Sequence, residues 1–236
     1  MGKIIENGIV VSVGNQKGGV GKSVITSFIA NYIHQTKQQT GLEIAVIDGD
    51  DLQGSLINLR NEELKENPSD NYYRLVQISS IDIPSQIDLL KEEFDIIFID
   101  LPGNLKQDGV LNCYLLVDVI FIPTQTSQLD LQSTFDFVKL YKNEIVSLRD
   151  EEGEKTKIFG FFNRVRTQNK EFKFFQDEQT KANLPIEFME NSIPDAPAIF
   201  QRNVSTVNVY KNNKYNDYQD FAEEMIDKIA TVRIED

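Results

Sequence analysis

The stretch Gly14-Asn15-Gln16-Lys17-Gly18-Gly19-Val20-Gly21-Lys22-Ser23 gathers glycines, two lysines and a hydroxyl within one turn. Those residue types suit phosphate binding. Glycines let the backbone curl until several N–H groups face one anion, and a helix N-terminus adds partial positive charge. Lys22 stands where it can reach β- and γ-phosphates, and the Ser23 hydroxyl where it can ligate magnesium. Gly18, Gly19, Val20, Gly21, Lys22, Ser23 and Val24 are the expected contacts to a nucleotide.

Chemistry of this kind needs carboxylates nearby, and two segments offer them. Phe94–Asp100 is an apolar run closing on Asp100, the pattern that places a magnesium-holding carboxylate at the end of a buried strand. The run Ile44–Asp48 leads into Gly49-Asp50-Asp51-Leu52-Gln53, with Asp48 and Asp50 as candidates.

The phosphate loop departs from the plain pattern G-x-x-x-x-G-K-[ST], because Gln16 occupies the first glycine position. Lys17 lies five residues before Lys22 in exchange. A Lys-Gly-Gly-x-Gly-Lys-Ser loop resembles the deviant Walker A loop of the ParA/MinD family of P-loop ATPases, and the preceding Asn-Gln resembles its partition branch. The resemblance implies ATP and Mg2+ as ligands, slow ATP hydrolysis, and a homodimer in which Lys17 reaches the partner's nucleotide. It implies that Asp50 orients the attacking water and that Asp48, with Ser23 and Asp100, supports the magnesium shell. Asp51-Leu52-Gln53 replaces the family's more usual Pro-Gln.

By the same resemblance Asn163-Arg164 lies beside the adenine, and Ser192–Pro197, with Pro194 and Asp195, closes over the base. Pro123–Asp130 resembles a segment near the family's dimer face, although a helix cap by Ser127 explains its residues equally well. Non-specific DNA and a ParB-like stimulating partner are the implied macromolecular partners. A nucleotide-switched regulator or scaffold acting on a protein, without DNA, remains the alternative. Cys113 alone cannot supply the shared cluster of the nitrogenase-reductase branch, and no Cys-x-x-Cys is present.

The elements that must position these residues follow from patterning. Runs at Ile9–Val13, Ile44–Asp48, Arg74–Ile78, Phe94–Asp100, Val117–Pro123 and Ile158–Phe162 alternate with helical segments, among them Val24–Ile33 and Ser85–Glu93. This predicts an α/β fold, a mostly parallel twisted sheet with helices on both faces, as one domain over 1–236. Leu131, Phe135, Val138, Tyr141, Ile145 and Leu148 form a helical stripe, while polar Asn61–Asn71 is expected to be loop or a ragged helix end.

Composition narrows the partners. A net charge of −13 argues against a chain that clings to nucleic acid over its whole surface. The segment Lys155–Lys214 is nevertheless net positive, and Lys170, Lys173, Arg202, Lys211 and Lys214 are the expected DNA-facing residues. The last helix carries Tyr218, Phe221, Met225, Ile229 and Val232 on one face and mainly acids on the other. That pattern fits docking on its own sheet rather than on an anionic lipid surface. A single cysteine, no signal-peptide core after Met1, no N-terminal room for a helix-turn-helix and no long apolar run together point to a cytoplasmic chain without a membrane role.

Overall fold

A computed structural model of the chain describes residues 7–50, 54–66, 68, 71–151, 153, 155–166, 168–177, 184–195 and 216–233. Its strands are β1 (Ile9–Val13), β2 (Ile44–Asp48), β3 (Arg74–Gln77), β4 (Ile96–Asp100), β5 (Val119–Thr124), β6 (Lys157–Val165), β7 (Glu187–Phe188) and β8 (Ile193–Pro194). They pair in the order β3-β2-β4-β1-β5-β6-β7, with β8 also on β6, and every pairing is parallel. The expected parallel sheet is therefore present.

Helices cover both faces: α1 (Lys22–Gln35), α2 (Lys37–Thr40), α3 (Ser55–Glu66), α4 (Ile83–Glu93), α5 (Val110–Tyr114), α6 (Gln128–Tyr141), α7 (Ser147–Glu151), α8 (Lys170–Gln176) and α9 (Asn216–Ala230). Alternate strand residues feed two cores. Val11, Val13, Val46, Phe98, Phe121 and Phe161 pack under α1 and α9. Val10, Ile47, Ile97, Ile99, Ile120 and Phe162 pack under α4, α5 and α6. Strands buried on both faces need apolar residues at consecutive positions, which is why β1, β2 and β4 read so clearly in the sequence.

The acidic last helix docks as expected. Tyr218, Phe221, Met225 and Ile229 are buried, with Phe221 edge-on to Phe161 at 5.1 Å between ring centroids. Its acids also work inward. Glu223 accepts from the Tyr32 hydroxyl at 2.8 Å. Glu224 accepts from the backbone N–H of Glu190 (2.7 Å) and Asn191 (2.8 Å) and from Asn191 Nδ2 (2.9 Å). Glu224→Ala is expected to cost about 1–2 kcal/mol, since bonds to a charged acceptor are lost together. Thermal melting should fall by roughly 2–8 °C in a chain of this size; an unchanged midpoint would show that Glu224 does not hold this loop.

Of the two alternatives for Asn61–Asn71 the helix end is the one present, while the stripe of the long helix needs correction. The polar stretch after Asn61 is helical through Glu66, as the second half of α3. This helix buries only Leu56 and Arg60, so it carries no apolar stripe to betray it. Arg60 instead sits over the rings of Tyr72 (4.6 Å) and Tyr73 (4.5 Å) and donates to the Tyr73 carbonyl at 2.9 Å. In the long helix, Phe137 rather than Phe135 is fully buried, and Leu148 is 47% exposed. A π-helical turn at Lys142–Val146 widens the spiral between α6 and α7, which brings Arg149 inward in place of Leu148. Arg149 then pairs with Asp118 at 2.8 Å. The short α5 had no sequence signal of its own.

Candidate nucleotide site

The lysine-rich loop joins β1 to α1 above the carboxyl ends of the central strands. Its start is bolted down. Gly14 N–H donates to the Phe121 carbonyl at 3.0 Å. Buried Asn15 donates its amide to the Pro123 carbonyl (2.9 Å) and to Thr134 Oγ1 (3.2 Å), and accepts from Lys17 N–H at 3.0 Å. Gln16 to Gly19 then lie exposed. Gly19 and Gly21 hold φ of 73° and 94°, the left-handed region in which a side chain is strained. Val20 closes the loop beneath, its carbonyl accepting from Asn163 Nδ2 at 2.7 Å.

Lys22 and Ser23 open α1 and turn toward the strand ends. The Lys22 ammonium packs over Gly103, where a methyl group would approach it to 3.2 Å and the Gln16 carbonyl to 3.0 Å. Burial pushes this ammonium below the usual lysine range, with Asp100 and then Asp50 pulling the other way. Asp100 ends β4, buried, and shares a hydrogen bond with the Ser23 side chain. Burial raises its carboxyl to about 7, the Ser23 bond and the Lys22 charge opposing. Asp100 Oδ1 is buried without a hydrogen-bond partner. A hard cation at Ser23 and Asp100 would fill that gap, so the donors present suit magnesium. Among the described residues no cluster of three or more His, Cys, Asp or Glu side chains is arranged to hold a metal alone. Magnesium that arrives with phosphate oxygens needs no such cluster.

Asp48, expected to support the magnesium shell, is held from the side of α3. It lies beside Asp100 in register, fully buried, but its Oδ2 accepts the N–H groups of Leu56 and Ile57, both at 3.0 Å. It thus anchors the first turn of α3, where an anion is favoured. Burial raises its carboxyl above the usual range, those backbone bonds opposing. Asp50 borders an open cleft of about 680 Å³ with Gln16, Gly18, Gly103 and Lys106.

The two segments expected around the base do meet. β6 and β8 pair at Asn163 and Ile193, so Asn163, Arg164, Pro194 and Asp195 gather at one end of the sheet. Arg164 adopts φ 56°, and Arg166 pairs with Asp195 at 3.0 Å. The Asn163 amide nitrogen donates to the loop carbonyl of Val20. Lys170 and Lys173 are exposed on α8, while Arg202, Lys211 and Lys214, together with Asp51, Leu52 and Gln53, lie outside the described residues.

Residues 11–206 match the model of the CobQ/CobB/MinD/ParA nucleotide-binding domain. The chain belongs to this family of ATPases. By sequence, no curated protein matches it. Solved structures share the fold of this ParA/MinD-family chain at low identity. One, described as a plasmid partition protein of Borrelia burgdorferi bound to AMPPNP, is 17% identical, covers 94% of this chain and 99% of its own, and has a TM-score of 0.64. The MinD cell division protein of Aquifex aeolicus is 16% identical over 94% and 97%, with a TM-score of 0.65. A MinC:MinD complex from the same organism is 15% identical over 94% and 96%, with a TM-score of 0.63.

Sequence reasoning missed what this ParA/MinD-family chain does with Lys17. The ammonium is ion-paired within the chain to Asp130, in the first turn of α6. The signal was present as Ser127-x-x-Asp130, a capping pattern that explained both residues locally. The closeness of Gly103 to Lys22 emerges only in the fold.

Proposed function

We propose that this ATPase is ParA-like: two chains sandwich two ATP molecules, each Lys17 neutralising γ-phosphate charge on the other's nucleotide, and the ATP-bound dimer holds DNA until hydrolysis releases it. The observation that carries the reading is the contrast between two lysines of one loop. Lys22 lies inside, beside Gly103 and under the influence of Asp100 and Asp50. Lys17 keeps 42% of its side chain exposed and lies against α6.

In this reading loop N–H groups from Gly18 to Val24 cradle the phosphates, and Lys22 bridges β- and γ-oxygens. Ser23 and Asp100 hold magnesium, which neutralises phosphate charge when bound. Asp48 supports that shell indirectly, by fixing α3 beside the site. Asp50, at the cleft, orients the attacking water, and phosphoryl transfer asks little more of a protein than such positioning and charge. Asn163 and Arg164 support the base side of the site, with Pro194 and Asp195 facing them. Lys170 and Lys173, with Arg202, Lys211 and Lys214, supply phosphate contacts to DNA. A ParB-like protein stimulates turnover.

Sedimentation with non-specific duplex DNA tests the partition role. Binding with ATP only, weakening steeply between two salt concentrations, is expected from contacts that release counterions. Hydrolysis without DNA binding in any nucleotide state would instead support a switch that acts on a protein partner. The charge of −13 and the presence of a MinC:MinD complex among the structural neighbours favour that second reading.

A further inference from the structure

We infer that Lys106 sets the preference for a triphosphate: from the turn after β4 its ammonium meets the γ-phosphate of the nucleotide held by its own chain. The inference rests on the nucleotide site proposed above and adds a residue to it. It begins with the cleft of about 680 Å³ beside the phosphate loop, in which Asp50 and Lys106 are the charged residues of the lining. Gly103 presses one wall of this cleft against the loop. A methyl group there would meet the Gln16 carbonyl at 3.0 Å and the Lys22 ammonium at 3.2 Å. Phosphates cradled from Gly18 onward and held by Lys22 therefore turn their terminal group into this space. Loop, turn and cleft all belong to one chain, so the contact needs no second copy.

The backbone beneath Lys106 is pinned on both sides. Lys106 N–H donates to Asn104 Oδ1 and Gln107 N–H to the Asn104 carbonyl, both at 3.1 Å. Leu105 is buried in the core under α4, α5 and α6. The Ser80 hydroxyl donates to the Asp108 carbonyl at 2.9 Å, and Gly109, at φ 81°, packs against the Ser80 backbone. On this fixed turn the Lys106 side chain is exposed and, among the described residues, makes no ion pair or hydrogen bond of its own. Charge gives it a task. Asp50 and Asp100 both repel an incoming polyanion, and both already act on the single ammonium of Lys22. A second cation at the open end offsets that repulsion where the terminal phosphate lies. ADP ends at the β-phosphate, which the loop and Lys22 hold, so Lys106 adds little to its binding.

The ratio of two affinities gives the test. Titration calorimetry with AMPPNP and with ADP, each with magnesium, is run on the wild type, Lys106→Ala, Lys106→Arg, Lys22→Ala and Lys17→Ala, and on the Lys17→Ala/Lys106→Ala pair. Lys106→Ala is expected to weaken AMPPNP about tenfold, the low end for a hydrogen bond to a charged group, and to leave ADP within about twofold. Lys106→Arg should keep the wild-type ratio. The loss should shrink at high salt, because the ammonium is exposed. It should also persist once Lys17 is alanine, since the contact lies within one chain. Unchanged AMPPNP affinity in Lys106→Ala, or equal weakening of both nucleotides, overturns the inference and leaves the nucleotide site intact. A loss that vanishes in the Lys17→Ala background also overturns it. Lys22→Ala binding both nucleotides as the wild type does would overturn the site itself, and the inference with it.

Discussion

Lys22→Ala is expected to lower ATP affinity by a hundredfold or more. This ammonium sits beside the turn at Gly103 and within the field of Asp100 and Asp50. Burial already disfavours its charge, so the free protein spends stability on keeping it there. A phosphate that meets it gains charge-assisted hydrogen bonds in a sheltered site, each worth about 1.5–3 kcal/mol. Two such bonds convert to roughly 100-fold or more in affinity. Removal also leaves Asp100 and Asp50 facing incoming phosphate without a cation between them. Titration with a fluorescent ATP analogue checks this, with a melting curve to confirm the fold. Asp100, whose carboxyl already stands near 7, can take up a proton when its neighbour is lost, so the variant should fold. Unchanged affinity in a folded variant would contradict the assignment of the loop.

Lys17→Ala should behave in the opposite manner: ATP binding persists and hydrolysis falls about a thousandfold, the scale of a cation supplied in trans in phosphoryl transfer. The two lysines are five residues apart, yet only Lys22 packs beside Gly103 within the field of Asp100 and Asp50. Lys17 lies on α6 and contributes nothing to its own cradle in this conformation. Phosphate release from a single turnover, measured at saturating ATP, separates chemistry from binding. Normal turnover would sink the trans-lysine reading. A parallel loss of ATP affinity would place Lys17 on its own chain's nucleotide instead.

How much of this was legible in the sequence varies with the force that holds each part. β1, β2 and β4 were plain because burial on both faces demands unbroken apolar runs. The phosphate loop was plain because left-handed backbone at Gly19 and Gly21 selects glycine, and the lysines flank it. α3 was hidden because polar groups anchor it, Asp48 at its start and Arg60 between tyrosine rings. The inward stripe before α7 was misjudged because a wide π turn shifts the facing residues, which no fixed period anticipates. Asp48 was assigned to the metal shell by resemblance alone; its bonds to the first turn of α3 join residues eight and nine positions apart and show only in the fold. The Lys17–Asp130 pair joins residues distant in the chain, each with a satisfactory local explanation, so only the packing of α6 against the loop reveals it.

The way α3 is anchored has an evolutionary consequence. A helix held by an apolar stripe constrains every third or fourth position, and drift on its surface soon meets the core. α3 is fixed at Leu56, at Arg60 and by the carboxylate of Asp48 beneath its first turn. Its exposed positions, such as Asn61, Glu62, Leu64 and Lys65, are therefore open to mutation at little cost to folding. Descendants of such a chain can rewrite that outward surface for a new partner while the catalytic strands beside it stay unchanged.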